Sequence, residues 1–496
     1  MIEALLVCVP ASFGLLCFVL RRRAASRILL VAGAGSHSAL TLWAWRLTSS
    51  GVTIEGGLWL GIDSLGLLFL SVTSALFLVA SVYAAQFLAR EGGGEHADPE
   101  EGFVFRNYPQ GVFAGCLLLF LSSMTLVTLS RHFGILWVAI EATTLVTATL
   151  IHYHRHHRSL EAAWKYLLVC SVGIALALLG TFFIAASAGG SGLSFGALAA
   201  RAASLNQRWL KAAALLIVVG YGTKMGLVPM HTWLPDAHSE APSAVSALLS
   251  GALLNCAFLG LLRLQGILSA AGLEDYGREI LLVLGFASMA AAAVFMIAQK
   301  DFKRLLAYSS VENMGIIAVG VGLGGGGDWG ALYHAVNHSL VKAALFFTAG
   351  NVLLATRSKN VGEARGLLKV LPFSGALWMA GFVAVAGFPP FGSFLSELAI
   401  LRAAVTTGRF LAAAAFLAFL AAAFVGLVLA FPRMALGNPA RSNAGDGAAP
   451  VPLREAAAAV IPPLLLLLGA AALGIVVPGF LDGLISRGML LIGGAP

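Results

Sequence analysis

The amino-acid sequence predicts an all-α polytopic membrane protein with about fourteen transmembrane helices, two of them broken. The first indication is composition: 59% of the 496 residues are hydrophobic and 11% are charged, whereas soluble domains carry about 25% charged residues. The second is that apolar stretches of about 20 residues, enough to cross a bilayer as a helix, recur along almost the whole chain. The third is that proline and glycine interrupt two of these stretches.

Fourteen apolar spans can be placed along the chain. They are 3–20, 28–48, 62–85, 111–128, 133–151, 166–188, 211–230, 245–264, 280–299, 305–323, 330–355, 373–404, 410–431 and 456–479. An even number puts both termini on one side, and the loops of the two sides then carry nineteen and nine Lys or Arg residues. The positive-inside rule predicts both termini outside, in a bacterial or archaeal cell (inner) membrane.

The two interrupted spans, seven and twelve, suggest an internal repeat. They lie five spans apart, so the two segments enter the membrane with opposite orientation, as in inverted-repeat transporters. The sequence thus predicts N-terminal helices in 1–110, a first five-helix unit in 111–264, a second, inverted unit in 265–431, and a loop and last helix in 432–496. We also expect a short surface helix within 189–210, a flexible loop at 437–455 and a turn at 324–327.

Composition also bears on cofactors and partners. The five cysteines are scattered through apolar stretches without metal-ligand spacing, so no cofactor or metal site is predicted. The net charge of +8 lies mainly in loops, which orientation in the membrane explains better than nucleic-acid binding. A histidine-rich tract resembles a metal site, but interleaved arginines favour a surface loop; its members are His152, His154, His156 and His157.

The first interrupted span runs into KMGLVPMHTWLPDAHSEAPS, residues 224–243. Lys224 lies among apolar residues, where an ionisable side chain indicates a functional site. Pro229 removes a backbone donor, so the helix should break beside the lysine and line a polar cavity. A lysine that snorkels from a helix end is the alternative.

The second interrupted span contains AGFPPFGSFLSELAIL. Pro389 and Pro390 break an apolar run that continues to Glu397. A second intramembrane ionisable group therefore follows a second break.

Few other ionisable groups lie within the spans. Glu141 is in the middle of span five, and span eleven carries His334, His338 and Lys342. These three are four residues apart, so they share one helix face and rise about 12 Å along it, as a proton relay would need. Opposite charges stabilise each other in an apolar setting, so we expect Glu141 and Lys224 to act as a coupled pair. The alternatives are a carboxylate held by hydroxyl or backbone groups and histidines with a purely structural role.

Several further residues have two interpretations. Asp236, His238 and Glu240 follow the first break and form either a water-facing entrance or a solvated loop. Arg263 lies near the end of span eight and either supports the site or snorkels to the membrane surface. Asn255, on the same span, is a further supporting candidate. Lys303 and Arg304, at a helix start, are interpreted as orientation charges.

The motifs carry a family resemblance. KMGLVPMHTWLPDAHSEAPSAVSALLSG, DFKRLLAYSSVENMG, HAVNHSLVKAALFFTAG and GFPPFGSFLSELAIL resemble the core of the antiporter-like membrane subunits shared by respiratory complex I, Mrp-type cation antiporters and membrane-bound hydrogenases. The similarity covers roughly 110–430, and the stretch beginning EATTLVTATLIHYHRHH is most similar to component F of hydrogenase-4. The resemblance implies fourteen helices, two inverted five-helix units and breaks in helices seven and twelve.

The resemblance also implies site residues. A glutamate on helix five is matched by Glu141, a lysine on helix seven by Lys224, and an ionisable group on helix twelve by Glu397. The relay positions of helix eleven map to His334 and, in some members, to His338 and Lys342. Two helices depart from the pattern. Helix eight has Ser250 and Asn255 where many relatives place a lysine or histidine, and helix ten has Asn313 where some place a histidine. Water or weaker coupling would have to bridge them.

Three functions therefore remain open. The first is a proton-translocating subunit without redox centres in a multisubunit respiratory or hydrogenase complex, with other membrane and hydrophilic subunits as partners. The alternative is a subunit of an Mrp-type cation/proton antiporter driven by ion gradients, with sodium as a further candidate ion. The third is a membrane scaffold with a silent channel, which the neutral residues on helices eight and ten would permit.

Overall fold

Long apolar helices make up most of the chain in a computed structural model. The structure describes residues 1–20, 22–49, 57–91, 95–97, 104–190, 192–438 and 454–494. Of the loop expected at 437–455, residues 439–453 lie outside the described ranges.

The helices follow one another with short connections. The first half contains α1 (Ile2–Leu20), α2 (Arg23–Ser49), α3 (Ser64–Arg90), α4 (Gln110–Leu129), α5 (Phe133–Ile151), α6 (His157–Ser187), α7 (Phe195–Ala200), α8 (Gln207–Met225), α9 (Trp233–Glu240), α10 (Ser243–Leu248) and α11 (Leu254–Ala270). The second half contains α12 (Glu274–Ile297), α13 (Phe302–Leu323), α14 (Gly326–Thr356), α15 (Leu367–Val370), α16 (Pro372–Val385), α17 (Gly392–Thr406), α18 (Phe410–Leu436), α19 (Ala457–Ile475) and α20 (Gly479–Leu490).

The predicted fold class is confirmed. Within the described ranges, thirteen helices are long and apolar enough to cross a membrane, the broken α8–α9 and the joined α10–α11 each counting as one. The remaining predicted span, 373–404, is the pair α16 and α17. Each half is shorter than the roughly 20 residues that a crossing needs, so only the two together span a bilayer. Both predicted breaks are therefore present.

The core lies where α10, α11, α13 and α14 pack together. The most apolar windows of α10–α11 and of α13 are wholly buried, whereas outer helices such as α1, α18 and α19 bury about a third of theirs. The outer helices expose large apolar side chains, for example Leu411 and Val19, as a surface in contact with lipid requires. Polar groups on α13 and α14 are thus shielded from the bilayer on all sides.

Some local features differ from the sequence predictions. Two three-residue strands, β1 (Glu95–Ala97) and β2 (Val104–Arg106), form an antiparallel ribbon. The predicted surface helix is the six-residue α7, and α20, at the end of the described chain, was not predicted. Of the turn expected at 324–327, Gly324 and Gly325 form a turn with positive φ, whereas α14 already begins at Gly326. Helix α6 starts nine residues before the predicted span, because the charged residues of its first turns face outward.

Candidate functional site

The first break places Lys224 in the last turn of α8. Gly226 ends the helix in the left-handed conformation with φ +84°, and the next helical turn begins only at Met230, after a cis Val228–Pro229 peptide bond. Trp233 Nε1 donates to the carbonyl of Thr223 across the break at 2.8 Å. The interruption is therefore closed by side-chain hydrogen bonds, as backbone at membrane depth requires.

Lys224 is fully buried. Its Nζ donates to Thr144 Oγ1 at 2.8 Å and to the hydroxyl of Tyr166, and it lies 4.5 Å from the centroid of the Tyr166 ring. The Tyr166 hydroxyl is also hydrogen-bonded to Thr147 at 2.6 Å. Hydroxyls and a π face stabilise the ammonium here, so the snorkelling alternative is wrong.

Glu141 lies on α5 one turn before Thr144 and within electrostatic reach of Lys224. The two described side chains form no direct ion pair, and the carboxylate oxygen Oε2 finds no hydrogen-bond partner among the described residues. Val138 and Leu145, on the same face, are 50% and 60% exposed. Glu141 therefore sits between the buried lysine and the outer surface of the helix bundle.

The predicted helix eight contains a π-helical turn at Leu249–Leu253, between α10 and α11. Its Ser250 hydroxyl is hydrogen-bonded to Ser310 of α13 at 2.8 Å. Asn255 donates to Ser339 Oγ of α14 at 2.7 Å. The neutral residues of this helix thus connect three helices through hydroxyl and amide groups.

The α14 stripe, formed by His334, His338 and Lys342, faces the protein interior, as predicted. Its three side chains are each at most 2% exposed. Nζ of Lys342 donates to the carbonyl of Leu306 at 2.9 Å and to the hydroxyl of Ser309, both on α13. Neither ring nitrogen of His338 finds a hydrogen-bond partner among the described residues.

His334 links α14 to two other helices. Its Nε2 is hydrogen-bonded to Asn313 Oδ1 of α13 at 2.9 Å, and its Nδ1 to Ser396 Oγ of α17 at 2.8 Å. Asn313, where the resemblance leads us to expect a histidine in some relatives, thus contacts His334 through its amide oxygen. The hydrogen-bonded chain from Asn313 through His334 to Ser396 is therefore unbroken, although Asn313 carries no charge.

The second break holds Glu397 against the backbone. Helix α16 ends at Val385 and α17 starts at Gly392, with a cis Pro389–Pro390 bond between them. Gly387 has φ +71°, and a Cβ at that residue would overlap Oε2 of Glu397. The carboxylate therefore packs against a backbone position whose positive φ favours glycine.

The residues after the first break do not form a solvated loop, so that interpretation is wrong. Asp236, His238 and Glu240 lie on α9. Asp236 pairs with Lys165 at 3.1 Å and with Arg304 at 2.5 Å. His238 is fully buried, stacks on Phe346 and has both ring nitrogens without a hydrogen-bond partner in the described ranges. The packing of α9 against α13 explains the difference, because it excludes water from the histidine.

The interpretation of Lys303 as an orientation charge is wrong. The side chain is buried, and its Nζ donates to the carbonyls of Ser239 and Ala241 at 3.0 and 2.6 Å. These carbonyls are available because α9 ends at Glu240. A cavity of about 670 Å³ adjoins the lysine and is lined by polar side chains that include His154, His156, Glu240 and Lys359.

Other charged candidates have structural partners. Arg263 makes two hydrogen bonds to the Asp63 carboxylate, at 2.6 and 2.8 Å, so it anchors helix eight to the start of α3 and does not snorkel. In the histidine tract, His152 is hydrogen-bonded to Ser159 and His154 to Asn107. Among the residues that the structure describes, no cluster of three or more His, Cys, Asp or Glu could hold a metal ion.

Sequence reasoning missed Glu312, a buried carboxylate on α13. It lies within the predicted span 305–323, but the serines and the asparagine around it in SSVENMG make this part of the span polar, so the carboxylate does not stand out. The signal was nevertheless present, because the residues from Gly315 to Val321 that follow are all small or apolar. An acidic residue in such a span satisfies the criterion that identified Glu141.

A family model described as "NADH:quinone oxidoreductase/Mrp antiporter, TM" matches residues 130–422, more than half of the chain. The chain belongs to this family. The resemblance expected from the motifs is thereby confirmed, and the protein is a multi-pass membrane protein of a respiratory-complex family.

Relatives and solved structures of the family agree with this assignment. A hydrogenase-4 component F homolog of Methylacidiphilum infernorum is 36% identical over 385 residues, covering 76% of this chain and 79% of the relative. A chain of an archaeal membrane-bound sulfane sulfur reductase superposes with a TM-score of 0.85 at 23% identity, covering 99% of this chain and 98% of the other. A chain of the Mrp complex from Dietzia sp. superposes with a TM-score of 0.84 at 22% identity, covering 99% of both chains. At these identities the structural likeness concerns the fold.

Proposed function

We propose that this chain is a proton-translocating subunit without redox centres in a multisubunit membrane complex of the hydrogenase-4, formate-hydrogenlyase or complex I type. The observation that carries the proposal is a row of polar groups, most of them buried, between two broken helices. Lys224 stands at one end, Glu397 at the other, and the α14 stripe lies between them. Burying so many ionisable groups in a membrane protein is costly, and ion pathways are where such groups occur.

The geometry suggests how protons would move. A change of charge on Glu141, at the outer surface of the bundle, would alter the protonation of Lys224 because the two are coupled. Hydroxyls of Ser250 and Ser310 and the amide of Asn255, which is hydrogen-bonded to Ser339 of α14, would carry protons from Lys224 to the stripe. Protons would then pass along Lys342, His338 and His334 and reach Glu397 beside Ser396. We place the entrance at Glu240, which lines the cavity of about 670 Å³ next to Lys303; His238, two residues earlier on α9, is fully buried and would receive protons from it.

The relatives favour a hydrogenase-type complex over an antiporter. The hydrogenase-4 component F homolog covers most of the chain at 36% identity, whereas the likeness to the Mrp chain lies in the fold. The alternative, a cation/proton antiporter subunit that also accepts sodium, uses the same kind of core. Purification of the intact complex followed by metal analysis separates the two: iron, with or without nickel, supports the proposal, and small antiporter subunits without metal support the alternative.

The direct test is proton pumping in vesicles. The purified complex is reconstituted into liposomes, the redox reaction is started, and the internal pH is followed with a dye. Lys224→Ala should assemble and retain electron transfer but lose proton uptake. Lys211→Ala is the matched control, because Lys211 lies on the same helix but is exposed. A Lys224→Ala complex that assembles and pumps normally would show that the proposal is wrong.

The membrane arrangement belongs to the proposal as well. We place the chain in the cell membrane with both termini outside, and we assign spans four to eight and nine to thirteen to two inverted units. The larger number of Lys and Arg residues in loops on one side supports this orientation. Labelling of single cysteines from outside tests it, with Arg208→Cys and Lys300→Cys as separate variants at two exposed positions. The cysteine at 208 should react first, and faster labelling at 300 would reverse the orientation.

A further inference from the structure

Glu312 is a buried carboxylate that the proposed pathway does not yet use. It lies on α13 and is only 4% exposed. Its Oε2 finds no hydrogen-bond partner among the described residues. A charged carboxylate is unstable in such a setting unless a cation lies near or a proton neutralises it.

The cation near Glu312 is Lys342. Nζ of Lys342 is bound to Leu306 and Ser309 of α13. Ser309 lies three residues before Glu312, so the two side chains are neighbours on the helix surface, about 4.5 Å apart along its axis. Electrostatic coupling between Glu312 and Lys342 agrees with this placement.

Glu312 is also linked to the second break through its neighbour on α13. The residue after it, Asn313, is hydrogen-bonded to His334. His334 in turn is hydrogen-bonded to Ser396, the residue before Glu397, and the charge of Glu312 acts on Glu397. Glu312 thus adjoins both the lysine end of the α14 stripe and the hydrogen-bonded chain that leads to the second break.

We propose that Glu312 and Lys342 form a second carboxylate–lysine pair that passes protons between the α14 stripe and Glu397. The inference rests on the proposed proton-translocating function. In the transfer, an N–H bond of the Lys342 ammonium breaks and an O–H bond forms on Glu312, leaving a neutral amine and a neutral acid. Release to Glu397 restores the Glu312 carboxylate, and the Lys342 amine takes its next proton from the Lys224 end of the pathway.

This pair compensates for the neutral residues on helices eight and ten. Ser250 and Asn255 cannot carry a proton as a charged intermediate, and neither can Asn313. Glu312 lies one residue from Asn313 and supplies a titratable group at that depth. With Glu312 as a titratable group, proton transfer along the row does not need a charged residue on helix eight.

The experiment replaces the carboxylate by an amide of the same shape. Glu312→Gln in the intact complex, reconstituted into liposomes, should retain assembly and electron transfer but pump protons on the order of 10²-fold more slowly, as expected when a proton-transferring group is lost. Glu312→Asp, which keeps the carboxylate, should restore part of the rate. Glu363→Gln is the control, because Glu363 is exposed in a loop outside the spans.

A second readout separates transfer from structure. Infrared difference spectra of the wild-type complex, at rest and during turnover, should contain a carboxylic-acid band that Glu312→Gln removes. If Glu312→Gln fails to assemble, the double variant Glu312→Gln with Lys342→Met removes both buried charges; it should assemble and not pump. Normal pumping by either variant would overturn the inference. If Lys224→Ala still abolishes pumping in that case, the proposed function stands without this pair.

Discussion

The two lysine sites of this chain use different means to hold an ammonium group inside a membrane. Lys224 stands in the last turn before a helix break, and two hydroxyls and an aromatic ring surround it. Lys342 stands within an unbroken helix of 31 residues, where a carbonyl, a serine and a nearby carboxylate surround it. The first site obtains its polarity from side chains of neighbouring helices, the second mainly from one face of α13.

The two sites differ in which groups keep a partner when the lysine loses its charge. At the first site the hydroxyls bond to each other and to their own helices, as the Tyr166–Thr147 contact illustrates. At the second site Glu312 would remain buried without a cation. The hydroxyls of the first site therefore keep hydrogen-bond partners when Lys224 is neutral, whereas the second site needs proton exchange between its two members.

Removal of each lysine should produce the largest contrast. Both Lys224→Ala and Lys342→Ala leave a carboxylate without its cation, but Glu141 is only half-buried at the outer surface of the bundle, whereas Glu312 is buried in the core. We expect Lys342→Ala to destabilise the complex by about 1–3 kcal/mol more than Lys224→Ala, the cost of an unsatisfied buried polar group. Thermal unfolding of the purified complexes in detergent measures the difference. Equal losses would mean that Glu312 does not depend on Lys342.

The second break offers the next test. Gly387→Ala would place a Cβ against Oε2 of Glu397 and strain a backbone at φ +71°. We expect a loss of stability of about 1–3 kcal/mol and slower pumping, because Glu397 is displaced. Gly408→Ala is the matched control: its φ is +72°, but a Cβ there meets no atom within 4 Å. If the two variants pump equally well, the contact with Gly387 does not matter for Glu397.

Sequence reasoning found the groups that stand alone in apolar stretches and missed those that depend on distant contacts. Lys224, Glu141 and Glu397 could be identified because an isolated ionisable group is improbable in lipid. The burial of Lys303 could not be predicted, since it requires two carbonyls freed at the end of α9, more than 60 residues away.

The helix breaks could be predicted from local sequence, whereas contacts between distant helices could not. Proline and glycine mark both breaks directly in the sequence. The pairing of Arg263 with Asp63, 200 residues apart, depends on how α3 and α11 pack, and no local pattern encodes that packing. Glu312 was missed because serine and asparagine residues surround it, so it is not an isolated polar group in an apolar stretch. These neighbours are themselves part of the row of polar groups.

The hydroxyl at the first site gives the smallest expected effect. Tyr166→Phe keeps the ring beside Lys224 but removes the oxygen that accepts from Nζ and bonds to Thr147. A hydrogen bond to a charged group contributes about 1.5–3 kcal/mol, and we expect a loss near the lower end because Thr144 still holds the ammonium. Tyr221→Phe is the control, since the buried Tyr221 hydroxyl has no hydrogen-bond partner in the described part of the chain and its removal should be neutral or stabilising. If the unfolding temperature falls equally for both variants, the loss of stability at Tyr166 does not come from its hydrogen bond to Lys224. Packing, and not the hydroxyls, would then stabilise the first site.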